Sequence, residues 1–102
     1  MAKYHLEILS PAWQDLNNIA DYHLQMAGII SAKKVTDCIM DTLDKLQRFP
    51  LIGALHSDTV LAKMQYRKIR CGDYVCVYRL IEKTVFVYRI VHGATDYPKY
   101  FR

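Results

Sequence analysis

The segment from Tyr66 to Tyr100 constrains the fold most strongly, because apolar and polar side chains alternate along it with the period of a pleated strand. The alternation is clearest in residues 74–78 and 84–91, where β-branched and aromatic residues recur. Glu82-Lys83 separates these two runs and is the predicted tip of a hairpin. Cys71-Gly72-Asp73 provides a turn before the first run. The sequence therefore predicts a short basic strand, a tight turn and a two-stranded hairpin.

One strand and two helices are predicted before this segment. Residues 4–9 alternate as a strand does. Ser10-Pro11 predicts a helix start, with the serine as N-cap and proline in the first helical position. Apolar positions then recur at intervals of three and four as far as Gly28, and again from Ser31, a second predicted N-cap, to Pro50. The two helices should form an antiparallel hairpin joined by a few residues before Ser31.

Several positions carry more specific expectations. We predict that Trp13, Met26 and Met40 are core or packing residues on these helices. Residues 51–59 have no clean period and contain Gly, Ser and Asp, which predicts a loop with His56 exposed. Residues 60–64 are expected to form a short strand or a turn of helix.

These elements together predict one α+β domain spanning residues 1–102. It has an N-terminal strand, an antiparallel helical hairpin, and then an antiparallel sheet of three or more strands. The helices pack on one face of that sheet, so the other face is left to bind a partner or to meet solvent.

Composition excludes several classes of protein. Although 52% of residues are hydrophobic, the sequence has no apolar run of the roughly 18 residues that a membrane span requires. The charged N-terminus does not resemble a signal peptide, so a cytoplasmic location is expected. The three cysteines form no CxxC pair and the four histidines are scattered, which favours free thiols and predicts neither a metal site nor a cofactor.

The net charge of +4 is unevenly distributed. Residues 1–53 hold five basic against six acidic side chains, whereas residues 54–102 hold nine against four. The C-terminal half is therefore the part that would attract a polyanion or an acidic protein. A solvated sheet face with ordinary lysines and arginines explains the same count.

Side chains suited to metal-free cleavage of RNA follow or occupy the predicted strands. Such cleavage needs a base for the 2′-hydroxyl proton, cations for the phosphate charge and an acid for the leaving oxygen. His92 could supply the base or the acid, and tyrosines in the tail could stack on bases or donate a proton. A strand-end histidine bonded to the backbone or to Asp96 is the alternative for His92.

The candidate catalytic residues are His92, Lys68 and Tyr100, and the candidate residues for binding a target or a phosphate are Arg67, Arg70, Arg89, Tyr97 and Lys99. Alternation along the strand turns Arg67 away from Lys68 and Arg70.

The order of several segments resembles the RelE/ParE superfamily of type II toxin-antitoxin toxins. The resembling segments are residues 10–22 for the first helix, 46–53 for the end of the second helix and its turn, and 66–70, 72–78 and 87–93 for strands. The resemblance covers nearly all of the chain. It implies a small basic toxin that a cognate antitoxin neutralises by wrapping a helix or strand around it, in a toxin-antitoxin hetero-oligomer.

The resemblance also implies two functional branches. RelE-like members cut mRNA on the ribosome without a metal, whereas ParE-like members inhibit DNA gyrase and are not nucleases. RelE-like enzymes tend to carry basic residues where this chain has Val75, Ala94 and Thr95. Of the residues expected in a RelE-like nuclease, Lys68, His92 and a late aromatic residue, Tyr100 or Phe101, remain. Ribosome-bound mRNA and gyrase thus remain alternative targets, and a non-toxic binding module with a basic sheet is a third alternative.

Overall fold

The computed structural model describes residues 3–93, which form three helices and five strands. In chain order the elements are β1 (His5–Ile8), α1 (Ser10–Ala27), α2 (Ile29–Arg48), β2 (Ala54–Leu55), α3 (Thr59–Lys63), β3 (Arg67–Cys71), β4 (Tyr74–Ile81) and β5 (Thr84–His92). This arrangement confirms the predicted α+β class, the N-terminal strand and the helical hairpin. The turn at Gly72 and the hairpin tip at Glu82 both lie between strands as predicted, and both have positive φ, at 60° and 56°.

The strands form one sheet in the order β1-β5-β4-β3-β2. The three pairs formed among β2, β3, β4 and β5 are antiparallel, whereas β1 runs parallel to β5. The N-terminal strand therefore borders the last described strand, and it covers only the first part of it, from Thr84 to Val87.

The helix boundaries differ from the predicted ones. Leu9 is the N-cap of α1 and makes no side-chain cap bond, so the prediction that Ser10 caps this helix is wrong. The predicted N-cap at Ser31 is wrong as well, because α2 already begins at Ile29. Gly28 alone reverses the chain: its φ of 92° suits a residue without Cβ, its N–H donates to the Leu24 carbonyl at 3.1 Å, and its carbonyl accepts from the Ala32 N–H at 3.1 Å.

The main core lies between the helical hairpin and one face of the sheet. Its buried members are Ala12, Leu16, Ile19, Ile39, Leu43, Leu46, Cys71, Cys76, Tyr78, Val85, Val87 and Ile90. Trp13, Met26 and Met40 are not in it, since 46%, 70% and 41% of their surfaces are exposed. The prediction of core or packing residues is wrong as regards the core, because the stripe that the helices bury consists of Ala12, Leu16 and Ile19 on α1 and Ile39, Thr42, Leu43 and Leu46 on α2.

Residues 51–59 are more ordered than the loop predicted for them. They include β2 and lead into α3, whose N-cap is Asp58; its carboxylate accepts from the N–H groups of Val60 and Leu61 at 3.0 and 3.1 Å. Helix α3 belongs to a second buried cluster, made of Leu61, Tyr66, Val75, Val77 and Val91, against which Tyr88 packs.

Gly53 joins this connection to the sheet. Its N–H donates to the Tyr78 hydroxyl at 2.9 Å, and its carbonyl accepts from Arg67 Nη1 at 2.7 Å. A Cβ at this position would lie 2.5 Å from the Tyr78 oxygen and 2.6 Å from the Lys68 carbonyl oxygen. Only glycine therefore fits here, against the backbone of β3 and the ring of Tyr78.

Gly53→Ala should lower the free energy of unfolding by about 1–3 kcal/mol, because the new methyl group meets backbone and a buried ring. Urea denaturation followed by circular dichroism measures this loss. Gly93→Ala is the matched control, since the nearest atom to its Cβ would be 3.4 Å away. Equal stability of the two variants would contradict the close approach at Gly53.

Candidate functional site

The sheet face opposite the helical hairpin, here called the open face, carries two of the predicted cationic residues. Lys68 pairs with Val77 and Arg70 with Val75, and both valines belong to the second cluster. Because directly opposed residues share a face, Lys68 and Arg70 lie on the open face. Arg67 instead pairs with Tyr78 of the main core, and so points away from them as the alternation predicts.

Lys68 lies at the margin of the open face, next to the connection before α3. Its ammonium group donates to the Ser57 hydroxyl at 2.9 Å. His56 beside it is only 5% exposed, so the prediction of an exposed histidine is wrong. The ring Nδ1 accepts from the Asp58 N–H at 3.0 Å, which leaves the proton of the neutral ring on Nε2. Burial, and then the charge of Lys68, lowers the pKa of His56, while Asp58 acts in the opposite sense.

Arg70 reaches along the open face toward the end of β5. Its Nε donates to the Gly72 carbonyl at 2.9 Å. A Cβ placed on Gly93 would lie 3.5 Å from Arg70 Nη1, so the guanidinium lies directly over this glycine. The Gly93 N–H in turn donates to the Asp73 carbonyl at 2.9 Å. Arg70 thus places a fixed positive charge beside the residue that follows β5.

A third cation, Arg79, lies on the open face among aromatic rings. Its guanidinium carbon is 5.0 Å from the centre of the Tyr66 ring, which packs edge-to-face on Tyr88 at 5.0 Å. Arg79 Nε is buried and has no hydrogen-bond partner among the described residues. Arg79 is not among the predicted site residues, although alternation along β4 places it on the same face as Val75 and Val77.

His92 lies on the other side of the sheet, near the helices. It pairs with Tyr74, and the two rings are 5.6 Å apart at 81°. The Tyr74 hydroxyl is 3.0 Å from His23 Nε2, and His23 Nδ1 is 3.3 Å from the Ser31 hydroxyl. Burial is the main reason that the pKa of Tyr74 is raised. These contacts place His92 beside a helix-side cavity of about 430 Å³ lined by Tyr22, His23, Asp73, Tyr74 and His92.

The structure therefore does not bring the predicted catalytic residues together. Lys68 lies on the open face, whereas His92 is packed against a tyrosine that bonds to α1. The third candidate, Tyr100, and the predicted binding residues Tyr97 and Lys99 lie outside the described residues.

Arg89 is engaged in a contact with α1. Its Nε donates to Asp15 Oδ2 at 2.7 Å and its Nη2 donates to Oδ1 at 3.0 Å, which makes a bidentate pair. The Ile90 N–H donates to the same carboxylate at 2.9 Å. With side chains only 32% and 12% exposed, Arg89 and Asp15 connect the helical layer to β5.

Neither a metal site nor a membrane-spanning helix is found in the described part of the chain. Residues 3–93 contain no group of three histidine, cysteine, aspartate or glutamate side chains placed to hold a metal ion. The helices within the same residues are too short or too polar to cross a membrane.

The sequence matches the family of ParE toxins of the type II toxin-antitoxin system parDE over residues 6–97. Because this match extends over nearly the whole chain, the protein belongs to that toxin family, within the RelE/ParE superfamily. No curated protein sequence matches the chain significantly.

Solved structures share the fold. A chain of the chromosomal ParDE TA system from P. aeruginosa is 22% identical, with a TM-score of 0.74, and the match covers 88% of this chain and 96% of that one. The RelBE2 toxin-antitoxin complex from Mycobacterium tuberculosis gives 22% identity and a TM-score of 0.65, covering 89% and 99% of the two chains. A mutant of E. coli toxin RelE in the free state, with alanine in place of two arginines, is 18% identical, with a TM-score of 0.64, and the match covers 92% of this chain and 87% of that one.

Asp15→Ala should lower the free energy of unfolding by about 2–3 kcal/mol, because it leaves a partly buried guanidinium and the Ile90 N–H without their shared acceptor. Asp44→Ala is the matched control. It removes a half-exposed carboxylate 3.4 Å from Arg48 and should cost less than about 0.5 kcal/mol. Chemical denaturation of the two variants checks this, and similar losses would contradict the anchoring role of Asp15.

Stability should fall as pH falls below 6.5, the ordinary pKa of His56. Its pKa is lowered in the folded protein, so the unfolded chain takes up the proton first, and the loss continues until the pH passes the folded-state pKa. Urea denaturation between about pH 7.5 and about pH 5.5 measures the slope. His56→Asn keeps an acceptor for the Asp58 N–H without a titrating ring and should give a flatter profile; an equal slope would contradict the burial effect.

Proposed function

We propose that this chain is a growth-arresting toxin that acts by binding DNA gyrase, and that a cognate antitoxin neutralises it. The observation that carries the choice of target is the separation of His92 from Lys68 by the sheet. Acid-base cleavage of RNA requires the proton-transfer group and the cation to reach the same phosphate. The placement of these two residues supports target binding over cleavage.

The middle of the open face supports the same choice. Val75 lies between Arg70 on β3 and Val91 on β5, and it is 8% exposed within the second cluster. This is the position at which a RelE-like nuclease would carry a basic residue. The apolar residue there belongs to the buried cluster that includes Leu61 of α3, and it provides no charge for a developing phosphate dianion.

The rest of the open face is suited to binding a negatively charged surface. Lys68 and Arg70 supply two cations at alternate positions of β3, and Arg79 supplies a third, stacked on Tyr66. Membership of the ParE toxin family supports gyrase as the target that carries this negatively charged surface. Because a gyrase inhibitor must be in the same compartment as gyrase, the proposal includes a cytoplasmic location for this chain.

Cleavage of ribosome-bound mRNA is the second candidate. Cations beside tyrosine rings on one face are also what a single-stranded nucleic acid requires, since phosphates bind the cations and bases stack on the rings. This reading needs His92, or a group outside the described residues, to reach the phosphate from the other side of the sheet.

Induced expression without antitoxin separates these readings. We expect growth arrest, loss of gyrase supercoiling in extracts and an unchanged map of mRNA 5′ ends. His92→Gln should arrest growth as strongly as the control His5→Gln, which alters an exposed histidine on β1. New 5′ ends that vanish in His92→Gln alone would overturn the gyrase proposal in favour of cleavage. Unimpaired growth at high expression of folded protein would overturn the toxin proposal itself.

The charge on the open face should set the affinity for the target. Lys68→Gln with Arg70→Gln should weaken association with purified gyrase by about tenfold and flatten its salt dependence. The matched control, Lys33→Gln with Lys34→Gln, removes the same charge from exposed positions of α2 and should have little effect. Equal effects of the two pairs would rule out a specific role for the open face.

The antitoxin is tested separately. A short reading frame beside this gene, co-expressed with the toxin, should restore growth and co-purify with it as a hetero-oligomer. The RelBE2 structure from Mycobacterium tuberculosis, a toxin-antitoxin complex, supports this part of the proposal through its shared fold.

A further inference from the structure

The helix-side cavity offers a ligand several aromatic rings and one carboxylate. Its lining residues are Tyr22, His23, Asp73, Tyr74 and His92, so neither an arginine nor a lysine is among them. They come from three elements: the later part of α1, the start of β4 with the turn before it, and the end of β5. At about 430 Å³, the cavity has the size of a site for one side chain or one small ligand.

The four rings of this cavity meet edge to face. Tyr22 contacts His23 with ring centres 5.5 Å apart at 86°, and His23 contacts Tyr74 at 6.0 Å and 64°. The contact between Tyr74 and His92, described above, continues the row. Hydrogen bonds from His23 to the hydroxyls of Tyr74 and Ser31 fix its middle. Because an edge-to-face contact covers at most one face of one ring, the row keeps ring faces, which are electron-rich, available to a ligand.

The carboxylate in this cavity has no cation of its own. Within residues 3–93, exposed Asp73 makes neither a side-chain hydrogen bond nor an ion pair. The arginine nearest in sequence, Arg70, bonds to the Gly72 carbonyl instead. Burial is the main cause of the raised pKa of Tyr74, and the charges of Tyr22 and Asp73 act in the same sense. Surroundings that disfavour a negative charge on Tyr74 favour a positive charge beside it.

Arginines elsewhere in the chain show how a guanidinium uses each kind of partner. Arg89 forms its bidentate pair with a carboxylate, that of Asp15, and Arg79 lies over an aromatic ring, that of Tyr66. A planar guanidinium can do both at once, because its N–H donors lie in its plane and its two faces remain free to stack. A lysine ammonium is a compact, strongly hydrated charge without such a face. The helix-side cavity offers both partners and holds no arginine.

The surface beside the cavity is apolar, which indicates that a protein presents the arginine. Met26 lies one turn after Tyr22 on the same face of α1 and is 70% exposed. Ile29 and Ile30, which directly precede Ser31 at the start of α2, are 75% and 71% exposed. Contiguous exposed apolar side chains on a soluble domain are typical of a surface that a protein partner covers. A free guanidinium compound would leave this surface in water.

We propose that the helix-side cavity binds the guanidinium group of an arginine that a protein partner presents next to apolar side chains. The carboxylate of Asp73 accepts two N–H groups, and the exposed ring of Tyr22 stacks on the guanidinium plane. The apolar neighbours of that arginine cover Met26, Ile29 and Ile30. Because the cavity lies on the opposite side of the sheet from the open face, this interaction does not depend on which target the open face binds.

The test titrates N-acetyl-arginine methylamide into the isotope-labelled full chain and follows the backbone amide signals by NMR, at a pH above the usual titration range of histidine. We expect saturable shifts at Tyr22, His23, Asp73 and Tyr74. The citrulline analogue, which is a neutral isostere, should leave these signals in place. Equal shifts with citrulline, or shifts confined to residues outside the cavity, would overturn the proposal. Equal affinity for the lysine analogue would overturn the assignment of a guanidinium.

Two variants test the groups that hold the guanidinium. Asp73→Asn keeps the shape of the side chain but removes its charge, and should weaken binding of the capped arginine about tenfold. The matched control is Asp37→Asn, which removes the same charge from an exposed position of α2 and should have little effect. Tyr22→Leu keeps apolar bulk without a ring face and should also weaken binding. Equal affinities of the Asp73→Asn and Asp37→Asn variants would overturn the role of the cavity.

A comparison of two guanidinium ligands tests the requirement for a protein partner. A capped Leu-Arg-Leu peptide should bind more tightly than butylguanidine, which carries the same charged group without apolar neighbours. Met26→Gln should reduce the affinity for the peptide and leave that for butylguanidine unchanged. Butylguanidine that binds as tightly as the peptide would overturn the protein partner in favour of a free guanidinium compound.

Discussion

The carboxylate of Asp15 connects the helical layer to the sheet at the point along β5 where its pairing with β1 ends. Strand β1 pairs with β5 only as far as Val87, so the following part of β5 has an edge that needs other partners. Asp15 accepts from the Ile90 N–H and from the Arg89 guanidinium at that edge. A buried backbone N–H without an acceptor is costly, so this one side chain allows β5 to continue to His92. The position of His92 and Gly93, and hence where the chain leaves the sheet, depends on it.

The sheet then divides the functional side chains between its two faces. The helix side receives His92, which packs with Tyr74 and His23 into a small polar cluster at the end of the hairpin. The open face receives three cations, Lys68, Arg70 and Arg79, and the rings of Tyr66 and Tyr88. An enzyme that cleaves RNA needs these groups at one phosphate, whereas a surface that binds a large target does not. The division of residues by the sheet is thus the physical basis for preferring target binding.

Local patterns predicted the strands and helices well, because their periods of two and near four arise from backbone geometry alone. Alternation located β4 and β5 and also placed Arg67 opposite to Lys68 and Arg70. The sequence patterns could not predict that Gly28 would turn the chain by itself, since serine residues near both helix starts offered plausible caps.

These local patterns could not predict contacts between residues that are far apart in sequence. The Arg89 guanidinium bonds to an aspartate 74 residues earlier, and no local period indicates that pairing. His56 is buried because β2 and α3 form around it, whereas its neighbours in sequence are typical of an exposed loop. Predicting the side of the sheet on which His92 lies requires the register of β5 against β4. An irregularity between Val77 and Tyr78 shifts that register.

The shortness of β2 has a further consequence for the behaviour of the protein in solution. β2 pairs with only two residues of β3, Arg67 and Lys68, so within the described residues the remainder of β3 is an edge strand. An exposed edge invites pairing with another sheet and aggregation, and long charged side chains on the edge prevent it. Arg70 is the exposed charged residue of that stretch, but its guanidinium is directed across the sheet toward Gly93 and so covers the edge poorly. The unpaired part of β3 is only Ile69 to Cys71, and so short an edge offers few hydrogen bonds to another sheet, which favours a toxin that stays monodisperse.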